Sequence, residues 1–397
     1  RTTAGESYVV FGREGEYPGS LDLTTLDGND GFILRGVDEG DNSGCAVSSA
    51  GDVNADGFDD LIVGARLADG SGDLVSTTAG ESYVVFGAAD GFPAILELSS
   101  LDGTNGFILR GDAFFGRSGW TVDGAGDVND DGIDDVSFSN SYLAGFDNLQ
   151  GVLDGTDGTT IWDQTVNYKV ENTLLSDIDN DGSLEAIFGI HDDAGLAEVH
   201  VRNASDGTLE WSYTLGPDTG LNPDVFLFSD DIDEDGDLDL IVGNEYVDSH
   251  VYAFDGDSST PMWVSEELAG FPRDLSFGDV IGDGFKNIVV ATYDRVQILN
   301  ATDGTKTWYY AVSGTIRGTG SADLNNDGIL DVLCSGGAEM VSHNPGKSIW
   351  ALKTTEESPI LWEFDVDEYG SAVAIDDLNG DIYMDVVGVT SNDKAWA

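Results

Sequence analysis

The sequence predicts an all-β fold, a seven-bladed β-propeller, and three observations carry that expectation. An acidic phrase followed by a short apolar run recurs seven times along the 397 residues. Between these phrases lie further strand-length runs rich in Val, Ile, Tyr and Phe, joined by Asp-Gly turns. Such turns between apolar runs are strong hairpin signals, because glycine accepts the positive φ they require. Proline is scarce, with 8 residues, and no extended stripe of helical period occurs.

The phrases begin GDVNADGFDDLIVGA at Gly51, GDVNDDGIDDVSFSN at Gly126, SDIDNDGSLEAIFGI at Ser176 and DDIDEDGDLDLIVGN at Asp230. GDVIGDGFKNIVVAT at Gly278, ADLNNDGILDVLCSG at Ala322 and DDLNGDIYMDVVGVT at Asp376 complete the set. A unit of about 50 residues holding about four strands has the size of a propeller blade. After each loop comes one apolar strand, then a second such as YVVFG at 83–87, EVHVRNA at 198–204 or RVQILNA at 295–301. A turn and a strand opening on tryptophan follow, as in DGTTIW at 157–162, DGTLEW at 206–211 and DGTKTW at 303–308. Those tryptophans recur once per unit, as packing residues do.

One propeller is expected over 1–397, with longer blades over 1–145 and shorter ones over 146–397. In the first part GFILRG occurs at 31–36 and again at 106–111. The strand at Tyr8–Phe11 has the composition of a blade's third strand and could close the ring by joining the blade around Asp377. KAWA at the end competes for that place, with an eighth, partial blade as the alternative; seven blades are favoured. RTTAGESYVVFG at the start echoes STTAGESYVVFG at 76–87, and SNDKAWA at the end echoes KSIWALK at 347–353, so both ends read as cut from something longer.

Charge narrows the function. Asp and Glu number 75 against 16 Lys and Arg, a net charge of −59. That balance argues against nucleic acid or an anionic membrane as partner, since both need a basic face. No run approaches transmembrane length, so no direct membrane insertion is expected. A calcium-rich or salty exterior, where self-repulsion is screened, suits so acidic a chain. Cys45 and Cys334 are the two cysteines; they read as small buried hydrophobes rather than a disulfide framework.

Crowded carboxylates resist desolvation unless a cation sits among them. Loop one offers Asp52, Asn54 and Asp56 at positions 1, 3 and 5, a turn at Gly57, the carbonyl of Phe58 and Asp60 at position 9. Hard cations take six to eight oxygens of these kinds, and calcium suits a flexible loop better than magnesium. It is not an EF-hand, because position 12 is Val63 and a strand follows. Loop two repeats the set with Asp127, Asn129, Asp131, Ile133 and Asp135, and loop three with Asp177, Asp179, Asp181, Ser183 and Glu185. Loop four has Asp231, Asp233, Asp235, Asp237 and Asp239, and loop six Asp323, Asn325, Asp327, Ile329 and Asp331. Loop seven keeps Asp377, Asn379, Asp381 and Asp385 but has Ile382 where glycine belongs, so weaker binding is expected. Loop five, with Ile281 at position 3 and Asn287 at position 9, is expected to be empty or weak. Five to six calcium sites are the expectation.

The combination of YVVFG, GFILRG and GDVNADGFDDLIVGA resembles the FG-GAP repeats of integrin α-subunit propellers and their prokaryotic relatives. The later Asp-Gly-Thr-x-x-Trp turns also resemble blades of the pyrroloquinoline-quinone-type repeat. The resemblance implies a seven-bladed propeller, calcium held in blade hairpins as a structural brace, and a role in surface adhesion or assembly.

Other motifs add less. Arg110-Gly111-Asp112 spells an adhesion tripeptide, but GFILRG supplies Arg-Gly at 35–36 as well, and the Asp reads as chance in so acidic a chain. Asn203-Ala-Ser205 and Asn300-Ala-Thr302 are N-glycosylation sequons at equivalent turns. His191, His200, His250 and His343 are the only histidines, none in a metal or triad phrase. The expectation is a non-enzymatic extracellular or cell-surface module that binds a glycan or protein ligand, or copies of itself in a surface assembly or filament. A polysaccharide lyase acting on an acidic glycan is the enzymatic alternative.

Overall fold

A computed structural model describes the chain apart from residues 1–3, 12–22, 30, 70–78, 90, 112–117, 120, 130, 140–147, 156–158, 167, 193–195, 218–224, 245–248, 313–314, 326, 338–348, 356–358, 365–369, 377–384, 391–394 and 397. The fold is the expected seven-bladed β-propeller type. Seven antiparallel sheets each hold one acidic loop between their first two strands. The chain divides into two compact units, one running to Pro217 and the other from Asp218 onward.

Blades one to three lie in the first unit. Blade one is Ser43–Gly51, Asp60–Ala65, Glu81–Val85 and Gly106–Arg110; blade two is Thr121–Gly126, Asp135–Ser139, Asn148–Leu153 and Thr160–Val166. Blade three is Tyr168–Ser176, Glu185–Asp192, Leu196–Asn203 and Leu209–Pro217. In the second unit, blade four is Val225–Asp230, Asp239–Asn244, Val251–Phe254 and Trp263–Val264, and blade five is Asp274–Gly278, Asn287–Ala291, Arg295–Asn300 and Lys306–Ala311. Blade six is Thr315–Ala322, Asp331–Gly337, Ile349–Leu352 and Ile360–Phe364. Blade seven shows three strands among the described residues, Gly370–Asp376, Asp385–Thr390 and Ala395–Trp396.

The inner strands read as unbroken apolar runs because both of their faces are covered. In blade five, Ile288 and Val290 join a cluster with Ile241, Val251 and Trp263 of blade four. Val289 and Ala291, pointing the other way, join Val332, Cys334 and Trp350 of blade six. The two-residue period of a strand thus sorts neighbouring side chains into different inter-blade cores.

Tryptophan fixes one blade against the next. Trp162 of blade two donates its indole N–H to the carbonyl of Ala204 in blade three at 2.6 Å, and Trp263 of blade four to Ala301 in blade five at 2.8 Å. Each ring lies over the glycine of the neighbour's Asp-Gly turn, where a Cβ on Gly207 or Gly304 would come within 2.6 or 2.4 Å of it. Glycine is needed there twice over, for that approach and for φ of +72° and +71°.

The N-terminal strand departs from expectation. Glu6–Val10 pairs with Gly31–Arg35 rather than with blade seven, whose third place is taken by Ala395–Trp396. The partner strand suits it on two counts: Val9 and Phe11 pack against the core that holds Phe32 and Leu34, and Glu6 stands opposite Arg35 with an Arg35 Nε–Glu6 Oε1 distance of 3.0 Å. Blade one makes the same match between Glu81 and Arg110, also at 3.0 Å. With Ile95–Glu97 alongside, this makes a three-stranded sheet that holds no acidic loop. The shared phrase ESYVV accordingly meets two environments: Tyr83 is fully buried, whereas Tyr8 is 40% exposed. Cys334 is buried as expected, but Cys45 is exposed, its thiol donating to the carbonyls of Gly64 and Gly119; both cysteines are free.

Candidate metal loops

Six of the seven loops are described, and they share one frame. Position 6 is glycine in each, with φ between 86° and 106°. Position 9 is buried in all six: Asp60, Asp135, Glu185, Asp239, Asn287 and Asp331. One side-chain oxygen of each accepts the backbone N–H of position 2, from Val53, Val128, Ile178, Ile232, Val280 and Leu324, at 2.9–3.1 Å. Asn287 does this as well as an acid does, so the closing contact needs an oxygen rather than a charge. The carboxylate at position 5 accepts the N–H of position 7, which orients Phe58, Ile133, Ser183, Asp237 and Ile329 in the five loops read as complete.

Burial sets the electrostatics. Loss of water, then the neighbouring carboxylates, push Asp60, Asp135, Asp239 and Asp331 up to about 6, against the backbone N–H bonds that favour the charge. The same causes push Glu185 up to about 8. A charge held at such cost is what a bound cation relieves.

The loops divide at position 1. In loops one, two and six, both oxygens of Asp52, Asp127 and Asp323 accept the N–H groups of positions 5 and 6, at 2.7–3.0 Å. Asp279 of loop five does likewise, accepting at 3.1 and 2.9 Å. In loops three and four one oxygen, Oδ1 of Asp177 and of Asp231, is buried with no hydrogen-bond partner. Here the carboxylates converge: Asp177, Asp179 and Glu185 place one oxygen each within 4.8 Å of one another, and so do Asp231, Asp233 and Asp239. An orphaned buried oxygen among acids fits a hard cation, and these two clusters could hold one.

Position 8, silent in the sequence, reaches the preceding blade. The Asp134 carboxylate accepts the N–H of Asp52 at 2.9 Å, and Lys286 Nζ donates to Asp230 Oδ1 at 2.7 Å and to the Asp231 carbonyl at 2.8 Å. Leu184 and Leu330 approach Gly126 and Gly278 in the same way. A second lysine, Lys353, donates to Asp327 Oδ2 of loop six at 2.6 Å.

Of loop seven, Asp377, Asn379 and Asp381 lie outside the described residues, while Asp385 opens the second strand of blade seven. Asn203 and Asn300 each form an Asx turn, Oδ1 accepting the N–H and hydroxyl of Ser205 or Thr302 at 2.6–2.9 Å. Arg110 is committed to Glu81, and Asp112 lies outside the described residues. His200 faces Glu198 at 3.0 Å, and burial lowers its pKa.

Fold and loops together define a propeller whose blades carry acidic hairpins. Residues 46–85, most of the first strand of blade one with its loop and its whole second and third strands, match the FG-GAP repeat family. That segment is an FG-GAP repeat, and the chain is integrin-α-like there. Mouse integrin alpha-2 is 35% identical over 94 residues, covering 24% of this chain and 7% of that protein, so the likeness takes in a small part of the relative. Among solved structures, rhamnogalacturonan lyase YesW aligns with a TM-score of 0.51 at 16% identity, over 86% of this chain and 72% of that one. BBS1N in complex with ARL6DN aligns at 0.43 and 10% identity, over 86% of each. At 16% identity the likeness to the lyase concerns the fold alone.

Proposed function

We propose that this chain is a calcium-braced propeller of the cell exterior that works by binding, in adhesion or recognition, rather than by chemistry. The integrin-like FG-GAP repeat supports an adhesion-type fold. The observation that carries the calcium reading is the orphaned inward oxygen of Asp177 and Asp231 in clusters of three acids. Calcium would be held by positions 1, 3, 5 and 9 and the position-7 carbonyl, neutralising charges that burial disfavours. It would act there as a strap between the first two strands of a blade. The partner is a glycan or protein ligand, or further copies of the chain in a surface assembly. The −59 charge makes a cation-bridged contact the natural mode for self-association. Among the described residues no helix is long and apolar enough to cross a membrane.

The test is sedimentation velocity of the native protein in millimolar calcium and then in chelator, with calcium content measured on the same samples. Protein-bound calcium with a stable monomer supports a recognition module, and glycan-array screening then seeks the ligand. Large calcium-dependent species make the chain a building block. Absence of bound calcium refutes the brace, and cleavage of an acidic polysaccharide in a broad panel refutes the non-enzymatic reading.

A further inference from the structure

We propose that Lys353 is the resident cation of loop six, so that this loop, complete in its acidic residues, takes no calcium while that lysine is present. The inference rests on the calcium reading of the other loops. One contact carries it, and two features of the loop accompany it. The Lys353 ammonium lies 2.6 Å from Oδ2 of Asp327, the position-5 oxygen that a metal would use. The position-3 amide is turned the wrong way for a metal, because Asn325 Nδ2 donates to both oxygens of Asp331, at 3.1 and 2.8 Å. Both oxygens of Asp323 are taken by the N–H groups of Asp327 and Gly328. Loops one and two turn their first carboxylates the same way, and Asn129 Nδ2 also donates to Asp135 Oδ1 at 3.4 Å, so the ammonium is what sets loop six apart.

The repeat shows why a lysine can do this here. Lys353 immediately follows the third strand of blade six, Ile349–Leu352. The aligned residues are Asp154 in blade two, Asn203 in blade three, Asp255 in blade four and Asn300 in blade five. In blades two and four the residue adds charge of the same sign as the loop: Asp154 acts on Asp135, and Asp255 feels Asp233, Asp235 and Asp237. In blade six the sign is reversed. A tethered ammonium has the valence to neutralise one carboxylate and donates hydrogen bonds of fixed number, whereas calcium takes six to eight oxygens. A divalent ion arriving at this loop would meet a like charge at bonding distance from its own ligand, and one carboxylate already neutralised.

The experiment counts bound calcium by equilibrium dialysis on the full chain, for wild type, K353M, K353R and D327N. Expected are one more calcium per chain in K353M than in wild type, an unchanged number in K353R, and an unchanged number in D327N. Loss of one calcium in D327N would overturn the proposal, because loop six would then hold the ion with its lysine in place. So would an unchanged count in K353M that melts as a folded protein; D327N decides the matter should K353M fail to fold. Loss of one calcium in the control D179N, together with an unchanged count in K353M, would leave the calcium reading standing and sink only the lysine. No calcium on any of the proteins would remove both.

Discussion

Glu185→Gln isolates the conflict built into these loops. Glu185 is 1% exposed, and one of its carboxylate oxygens accepts the N–H of Ile178 at 3.0 Å. Glutamine keeps that acceptor, as Asn287 does in loop five, and removes the charge. Burial raises the folded-state pKa of Glu185 from 4.5 to about 8. For an acid raised in this way the folded state holds its proton more tightly. Its contribution is fully present below the unfolded value near 4.5 and is lost as pH rises through the folded value. At pH 7, in chelator, the distance from 4.5 corresponds to about 3 kcal/mol of destabilisation in the wild type. Glu185→Gln should recover most of it, raising the melting temperature of its unit by roughly 6–12 °C. In calcium the order of effects reverses, because an ion held at 100 times its dissociation constant adds about 2.7 kcal/mol to the wild type and the variant loses that site's share. Thermal melts followed by circular dichroism at pH 7, with and without calcium, read both quantities. A variant that is less stable than wild type in chelator, or that gains as much from calcium, would refute the reasoning.

Asp131→Ala should lower the melting temperature in calcium, and in chelator the loss should shrink to about 1 kcal/mol or less, the worth of its exposed hydrogen bond to Ile133; equal losses in both would contradict the metal assignment. Trp263→Phe leaves the Ala301 carbonyl without its donor and should cost about 1–3 kcal/mol in urea unfolding regardless of calcium. Gly304→Ala should also destabilise, since φ there is +71° and the new methyl carbon meets the indole. Asn287→Asp adds a buried acid to a loop whose position 3 is isoleucine. Its stability should fall by about 1–3 kcal/mol near pH 8, recover toward pH 5 and show no calcium rescue in parallel melts.

Strands, loops and blade count were legible because they rest on local spacing. Asp-x-Asp/Asn-x-Asp-Gly fixes a turn whatever surrounds it, and Ile288–Val289–Val290 announces burial on both faces. The pairing of Glu6–Val10 was not legible, because composition cannot choose between blade seven and the Gly31–Arg35 strand; the packing of Val9 and Phe11 with Phe32 and the Glu6–Arg35 match are seen only in the fold. Cys45 misled for a related reason: its strand, Ser43–Gly51, pairs with irregular register, which leaves a normally buried residue type exposed. The division of the loops was hidden altogether. Loop six and loop three both satisfy the acidic pattern, and they differ in where the carboxylates of Asp323 and Asp177 turn. The signal that could have marked loop six is a lysine in a chain with 16 basic residues, at a repeat position that holds Asp or Asn in blades two to five.

That contrast separates two tasks that the repeated phrase combines. The turn itself is held by position 6 in the positive-φ region and by the position-9 oxygen on the position-2 amide, and loop five keeps both with an asparagine and no complete acid set. Charge neutralisation is a second task, and the blades solve it differently. Loops three and four leave an oxygen facing inward, loops one and two turn the first carboxylate onto their own amides, and loop six sets an ammonium against Asp327. Lys286 extends the same economy between blades, giving the charge of a degenerate loop to the Asp230 carboxylate and the Asp231 carbonyl of its neighbour. In a chain carrying −59 charges, self-repulsion in dilute salt makes each uncompensated cluster destabilising. Loss of calcium should therefore act unevenly, with loops three and four loosening while loop six keeps its strap.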